Sequence, residues 1–289
     1  MSILEAIIMG IVEGLTEYLP VSSTGHLIIT RYFLALPESD AQKAFEICIQ
    51  GGAILAVLGI YFQRVKGMGY DTVKWIRTRK NNTNSAGQPL PAGMRLMFNM
   101  MIGFLPAAVF GVLLGDYIKE YLFNPTIVTV MWALGGLVIL LYVRAREKSG
   151  KKFEGKQLEE LSYCGALKVG LMQCIAMCPG VSRSLMTMLG GLCAGLSVPA
   201  AVEFSFLLGL ITLGAATVYD AYEYGHVMIN SIGWPAIIVG TLTAWASAII
   251  AVKWMVGYLN KHSLKIFGWY RIAAALVMLL LVYFAGLTF

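Results

Sequence analysis

The chain of 289 residues is 58% hydrophobic and 13% charged, with a mean hydropathy of +0.71, a composition that excludes a water-soluble domain. Its 22 Lys and Arg against 16 Asp and Glu leave a formal net charge of +6, which in so apolar a chain signals membrane topology and not a nucleic-acid partner. A hydrophobic span takes roughly 20 residues, so the length holds about six to eight spans and no extramembrane domain.

The N-terminus lacks a basic segment and carries Glu5, so the first apolar stretch belongs to the mature fold and is not a cleavable signal. That stretch, 3–36, is broken in its middle by Pro20, glycines and small hydroxyl residues. Uncharged runs then predict six crossings at 47–63, 96–115, 121–143, 204–219, 224–252 and 272–289. A second broken stretch, 160–198, falls between the third and fourth. Breaks of this kind are tolerated at membrane depth only where protein or a water-filled cavity satisfies the freed backbone, so both stretches are predicted as re-entrant helix hairpins. The five cysteines lie in apolar segments without C-x-x-C spacing and are expected to be packing residues.

Basic residues cluster at Arg64–Arg95 (seven), Arg144–Lys156 (six) and Lys253–Arg271 (four), and these segments are placed on the cytoplasmic side. Loops around Glu38 and Asp40, Asp116 and Glu120, and Asp220 and Glu223 then fall outside, as do both termini. The polar run from Asn81 to Pro91 is expected to be a mobile cytoplasmic loop. Trp234, Trp254, Trp269 and Tyr270 read as interfacial anchors, and His226 and His262 as loop residues.

Laying 6–24 on 166–184 pairs Ala6 with Ala166, Gly10 with Gly170, Glu13 with Gln173, and Val21-Ser22 with Val181-Ser182. Further on, Glu46 meets Glu203 and Gly103 meets Gly240. The chain is therefore expected to be one membrane domain, 1–289, made of repeats at about 1–143 and 160–289. Each repeat has one hairpin and three spans; three is odd, so the second copy is inverted and the hairpins meet from opposite faces. The fold class is an all-α integral membrane protein, with six transmembrane helices and two re-entrant hairpins in an inverted-topology repeat.

In the first hairpin, Glu13 and Glu17 stand four residues apart on one helical face. Two buried like charges call for a divalent metal or a proton kept on one of them. After Leu19-Pro20, the hydroxyls of Ser22, Ser23 and Thr24 gather at a helix N-terminus, an arrangement that suits an anion such as phosphate. His26 stands at its edge as a candidate acid or base, or as an aid to a serine nucleophile. The second hairpin opens its helix with Ser182, Arg183 and Ser184 and continues to Thr187. Arg183 is the only charged residue between Leu171 and Val202 and needs an anion, which Glu13, Glu17 or a substrate diphosphate can supply. Glu46 and Glu203 begin spans and rank lower as candidates.

Two acids, a histidine, hydroxyl-rich helix starts and one arginine converging inside a membrane make a phosphoryl-transfer inventory, for a substrate with a lipid tail. The segments Glu13-Gly-Leu-Thr-Glu17-Tyr-Leu-Pro-Val-Ser-Ser-Thr-Gly-His26 and Pro179-Gly-Val-Ser-Arg183-Ser-Leu-Met-Thr187 resemble the two signatures of the bacterial undecaprenyl-diphosphatase, or bacitracin-resistance, family. Phe45-Glu46-Ile-Cys-Ile-Gln50 is similar to a third family segment, and the likeness covers nearly the whole chain.

The resemblance implies a hydrolase of the bacterial cytoplasmic membrane, open to the outer face. It removes the terminal phosphate of undecaprenyl diphosphate to recycle the carrier for cell-wall synthesis, with Mg²⁺ or Ca²⁺ as cofactor. By motif position, Glu17, Ser23, His26 and Arg183 are catalytic, Glu13 and Glu17 hold metal, and Ser22, Thr24, Ser182, Ser184 and Thr187 bind substrate. Its partners are the polyprenyl diphosphate and membrane lipids, with a homodimer as the candidate assembly and no nucleic acid. In one mechanism Ser23, helped by His26, attacks phosphorus; in the other, Glu17 activates water. A rival class is a lipid transporter or flippase, since inverted repeats with broken helices are a transporter signature. A weaker enzyme rival is an acid-phosphatase-like lipid phosphatase, echoed in Ser23-Thr-Gly25-His26 and Ser182-Arg183 but lacking a K-x6-R-P element.

Overall fold

The computed structural model describes residues 1–81, 90–150 and 154–284, without the side chains at 79–81, 116 and 119. The 82–89 part of the polar loop, 151–153 of the second basic cluster and 285–289 of the last predicted span lie outside the described residues. Everything described is helical apart from short links and one isolated bridge between Lys156 and Leu196.

The helices are α1 (Ile3–Thr16), α2 (Ser23–Phe33), α3 (Asp40–Ile60), α4 (Phe62–Asn81), α5 (Ala92–Tyr121), α6 (Pro125–Lys148), α7 (Tyr163–Ile175), α8 (Arg183–Cys193), α9 (Val198–Ile232), α10 (Trp234–Leu259) and α11 (Lys265–Phe284). Six of them, α3, α5, α6, α9, α10 and α11, are long and apolar enough to cross a membrane, matching the six predicted crossings. Local chemistry explains the starts. Ser2 and Glu5 form a reciprocal capping box ahead of α1, and Ser39, Asn124, Ser162 and Ser197 cap α3, α6, α7 and α9 through their side-chain oxygens.

Charge marked the edges of the apolar runs but not the ends of the helices. Asp220, Glu223 and His226 lie inside α9, which continues until Gly233 adopts φ +84° and Pro235 enters α10. Glu120 likewise lies in α5, and the basic segment after Tyr61 contains the 20-residue helix α4. A helix that leaves the hydrocarbon keeps its backbone bonds in water, so it stops at a cap or breaker and not at the first charge. Two of the cysteines, Cys164 and Cys193, are exposed on the outside of the helical assembly, and all five are free thiols.

Helix α1 packs along α10, α7 along α5, α3 against both α9 and α10, and α6 along α11. Where the sequence paired Gly10 with Gly170 and Gly103 with Gly240, the structure joins Gly10 to Gly240 and Gly170 to Gly103. A Cβ at Gly10 would strike the Gly240 carbonyl, and one at Gly170 the Gly103 carbonyl. Each broken segment thus lies in close backbone contact with a span of the other half. We predict that Gly10→Leu, which forces α1 off α10, costs about 3 kcal/mol. It should appear as a lowered unfolding midpoint of the purified protein in detergent.

Candidate active site

The site forms where α1 and α2 part at residues 17–22 and where α7 and α8 part at 176–182. At each break the residue before the new helix is a serine in the left-handed region, Ser22 at φ 69° and Ser182 at φ 80°. An L residue tolerates this only when its surroundings hold it there, at a cost of order 1 kcal/mol, and such residues concentrate at functional sites. These two serines are the ones paired in the sequence alignment.

Glu17 joins the two breaks. Its Oε2 accepts a hydrogen bond from the Ser23 hydroxyl at 2.5 Å, and its Oε1 pairs with Arg183 Nη2 at 3.1 Å. Arg183, the first residue of α8, also donates from Nη1 to the Ser205 carbonyl at 3.2 Å and lies 5.1 Å from the centre of the Tyr18 ring. Gly209 leaves the room in which this guanidinium lies against α9. Arg183 Nε has no hydrogen-bond partner among the described residues.

Glu13 is 2% exposed, and its Oε2 is likewise without a hydrogen-bond partner among the described residues. It lines a cavity of about 360 Å³ together with Ser23, Thr24, Arg31, Glu46 and Gln50, and the rim carries Glu38, Asp40 and Asp220. Glu17 and Arg183 are not in the cavity wall; Ser23 links them to it.

His26 is not hydrogen-bonded to Ser23. Its Nδ1 donates to the Ser22 carbonyl at 2.7 Å, because a carbonyl only accepts. The lone pair on Nε2 then accepts from the Tyr270 hydroxyl at 2.6 Å, with the two rings stacked at 5.7 Å. Tyr270 is therefore more than an interfacial anchor. The second-hairpin hydroxyls are also committed to protein. Ser184 donates to the Leu19 carbonyl at 2.7 Å and so ties α8 to the first break. Thr187 bonds the Arg183 carbonyl and the Ser205 hydroxyl, and Ser182 caps α8 at Leu185. Ser184 and Thr187 are fully buried.

Arg271, counted from sequence among the cytoplasmic charges, is instead fully buried. It donates to the carbonyls of Pro20, Met131, Trp132 and Gly180 at 2.8–3.4 Å. It thereby fastens the turn of each hairpin to α6. Arg271, Tyr18, Ser205 and Gly209 escaped the sequence reading; the signal available was that Pro20 and Gly180, both turn residues, leave carbonyls needing donors. Of the lower-ranked pair, Glu203 forms an ion pair with Arg64 at 3.0 Å and Glu46 one with Arg31 at 3.2 Å. Gln173, the counterpart of Glu13, accepts from Thr212 at 3.3 Å.

A divalent ion fits this donor set in one way. Among the described residues no three His, Cys, Asp or Glu side chains converge to cage an ion. Glu13, with its unpartnered Oε2, and Glu17 offer two carboxylates, which suits an ion that takes its remaining oxygens from water and phosphate.

Fold and site together define a multi-pass helical membrane protein in which Ser23, Glu17 and Arg183 meet among the helices. The family described as bacitracin resistance protein BacA matches residues 6–277, and the chain belongs to that family. It is 41% identical over 277 residues to the undecaprenyl-diphosphatase of Acidovorax ebreus, covering 96% of this chain and 94% of the relative. It is 41% identical to undecaprenyl-diphosphatase 1 of Chromobacterium violaceum (95% and 94%) and 40% identical to the undecaprenyl-diphosphatase of Nitrosomonas europaea (97% and 95%).

Proposed function

We propose that this chain is a membrane phosphatase that hydrolyses undecaprenyl diphosphate to undecaprenyl phosphate and inorganic phosphate, returning the lipid carrier to cell-wall synthesis. The observation that carries the chemistry is the chain of contacts Ser23–Glu17–Arg183, in which a hydroxyl, a base and a phosphate-clamping cation meet.

In the reaction, the terminal phosphate enters the cavity and takes the Arg183 guanidinium from Glu17, with the unused Nε as an additional donor. The Ser23 proton passes to Glu17 Oε2 as Ser23 Oγ bonds the terminal phosphorus. The bridging P–O bond breaks, and its electron pair leaves on the lipid monophosphate. Water then attacks the phosphoserine, its proton passing to a phosphate oxygen of the departing inorganic phosphate, while Oγ leaves with its electron pair and takes back the proton held on Glu17. Glu13 and Glu17 would hold a divalent ion that neutralises charge building on the phosphate oxygens. His26, neutral and held by Ser22 and Tyr270, orients the start of α2 and is not the base on Ser23.

The wider frame of this reading is a single membrane domain of two inverted repeats, with both broken segments re-entrant. It is supported by the matching serine conformations and by the exchanged glycine contacts between halves. With basic segments cytoplasmic, the cavity rim of Glu38, Asp40 and Asp220 falls on the outer side, which supports an outward-facing site.

The test is phosphate release from polyprenyl diphosphate by the purified protein in detergent, with and without a chelator. Ser23→Ala should lower the rate by about 10³-fold or more, and a phosphoserine should be trappable in the wild type. Full activity in Ser23→Ala would remove the serine from the mechanism, and a chain that releases no phosphate is a carrier only.

A further inference from the structure

The cavity leading to Ser23 contains an ion pair that the hydrolytic steps do not use. On α2, Ser23, Leu27 and Arg31 recur every four residues along the cavity wall, so Arg31 stands about 12 Å along the axis from Ser23. Side chains on a helix lean toward its N-terminus, which here carries the guanidinium back along the wall toward Ser23. There it meets Glu46 of α3, Nε to Oε1 at 3.2 Å, with the two side chains only 10% and 18% exposed. The other lining cation, Lys43, pairs with Glu38 at 2.9 Å at the mouth, with 55% and 41% exposure, where water screens the interaction. The described wall thus offers an entering anion Glu13, Glu38, Asp40, Glu46 and Asp220 against Arg31 and Lys43.

A polyanion does not enter a wall of that sign without a cation that can change partners. Arg31 is the one that is both shielded from water and on the route. A buried ion pair is by itself weak evidence of a stabilising role, and this one lines a cavity when an apolar pair would have closed it.

We propose that Arg31 binds the phosphate next to the lipid, exchanging Glu46 for the substrate as the terminal phosphate reaches Ser23. The inference rests on the proposed hydrolysis. Glu46 keeps the guanidinium aimed into the cavity between turnovers and, as the competing anion, sets how tightly the diphosphate is held. The pair then acts on substrate binding and leaves the bond-breaking step to Glu17, Ser23 and Arg183.

The experiment measures phosphate release from polyprenyl diphosphate by the wild type, Arg31→Gln and Glu46→Gln, each with its thermal midpoint. Arg31→Gln is expected to raise KM by about tenfold or more, with kcat within about threefold of the wild type. Glu46→Gln, which removes the carboxylate that competes with the substrate at this guanidinium, is expected to lower KM by about threefold or more. Opposite signs distinguish an exchanged partner from a brace, because a pair that only held α2 to α3 would shift both variants in the same direction. An unchanged KM in Arg31→Gln, or a raised or unchanged KM in Glu46→Gln, overturns the proposal. Should Arg31→Gln fail to fold, Glu46→Gln alone decides. A wild type that releases no phosphate would instead overturn the hydrolytic reading, so the two failures are told apart in one series.

Discussion

Glu17→Gln is expected to lower phosphate release by about 10³-fold or more while the protein stays folded. The substitution preserves size and leaves an amide that can hydrogen-bond Ser23 or Arg183, but it removes the charge that holds both together and the base that the proposed mechanism assigns to the Ser23 proton. Ser23→Ala removes the other end of the same proton transfer. In the proposed mechanism the two residues act as one unit, so the double variant should be scarcely slower than either single variant. Single-turnover kinetics on the four proteins, with thermal midpoints to show that folding is intact, checks this. A Glu17→Gln rate within tenfold of the wild type, or strictly additive losses, would detach Glu17 from the chemistry.

Arg271→Leu is expected to cost about 3–5 kcal/mol of stability. The guanidinium is fully buried and spends its donors on four carbonyls, among them Pro20 in the first break and Gly180 in the second. Leucine leaves those carbonyls without these donors in a place water does not reach, and each such loss is expensive. Arg271→Lys should rescue little, since an ammonium is a point donor and cannot span carbonyls from three parts of the chain as a planar fork does. Denaturant or thermal unfolding in detergent measures the loss. A variant as stable as the wild type would show that the two turns hold their shape without this fastening.

Most of the architecture was legible because its signals are local. The six spans follow from hydropathy over windows of about 20 residues, and the breaks follow from Pro20, Pro179 and Gly180. The importance of Glu17 and Arg183 followed from the cost of leaving a charge unpaired at membrane depth. The misreadings also have local causes. Asp220 and Glu223 read as loop residues because charge reports the membrane edge, whereas α9 runs on to Gly233. His26 was paired with Ser23 because they are neighbours on one helix, whereas Tyr270, 244 residues away, takes its Nε2.

The sequence by itself determined the class of protein, the number of long apolar helices, the two interruptions and the residue types gathered there, since hydropathy, helix breakers and spacing act over a few turns of chain. Only the tertiary structure decided who meets whom: Glu17 with Ser23 and Arg183, Arg31 with Glu46, Ser184 with Leu19, and Arg271 with both turns. The reason is that a buried polar group must find its partner wherever packing brings one within about 3 Å, and packing brings together residues that are far apart in the chain. Arg271 is the clearest case, for the same guanidinium that reads as a cytoplasmic charge in the sequence is a core hydrogen-bond donor in the fold.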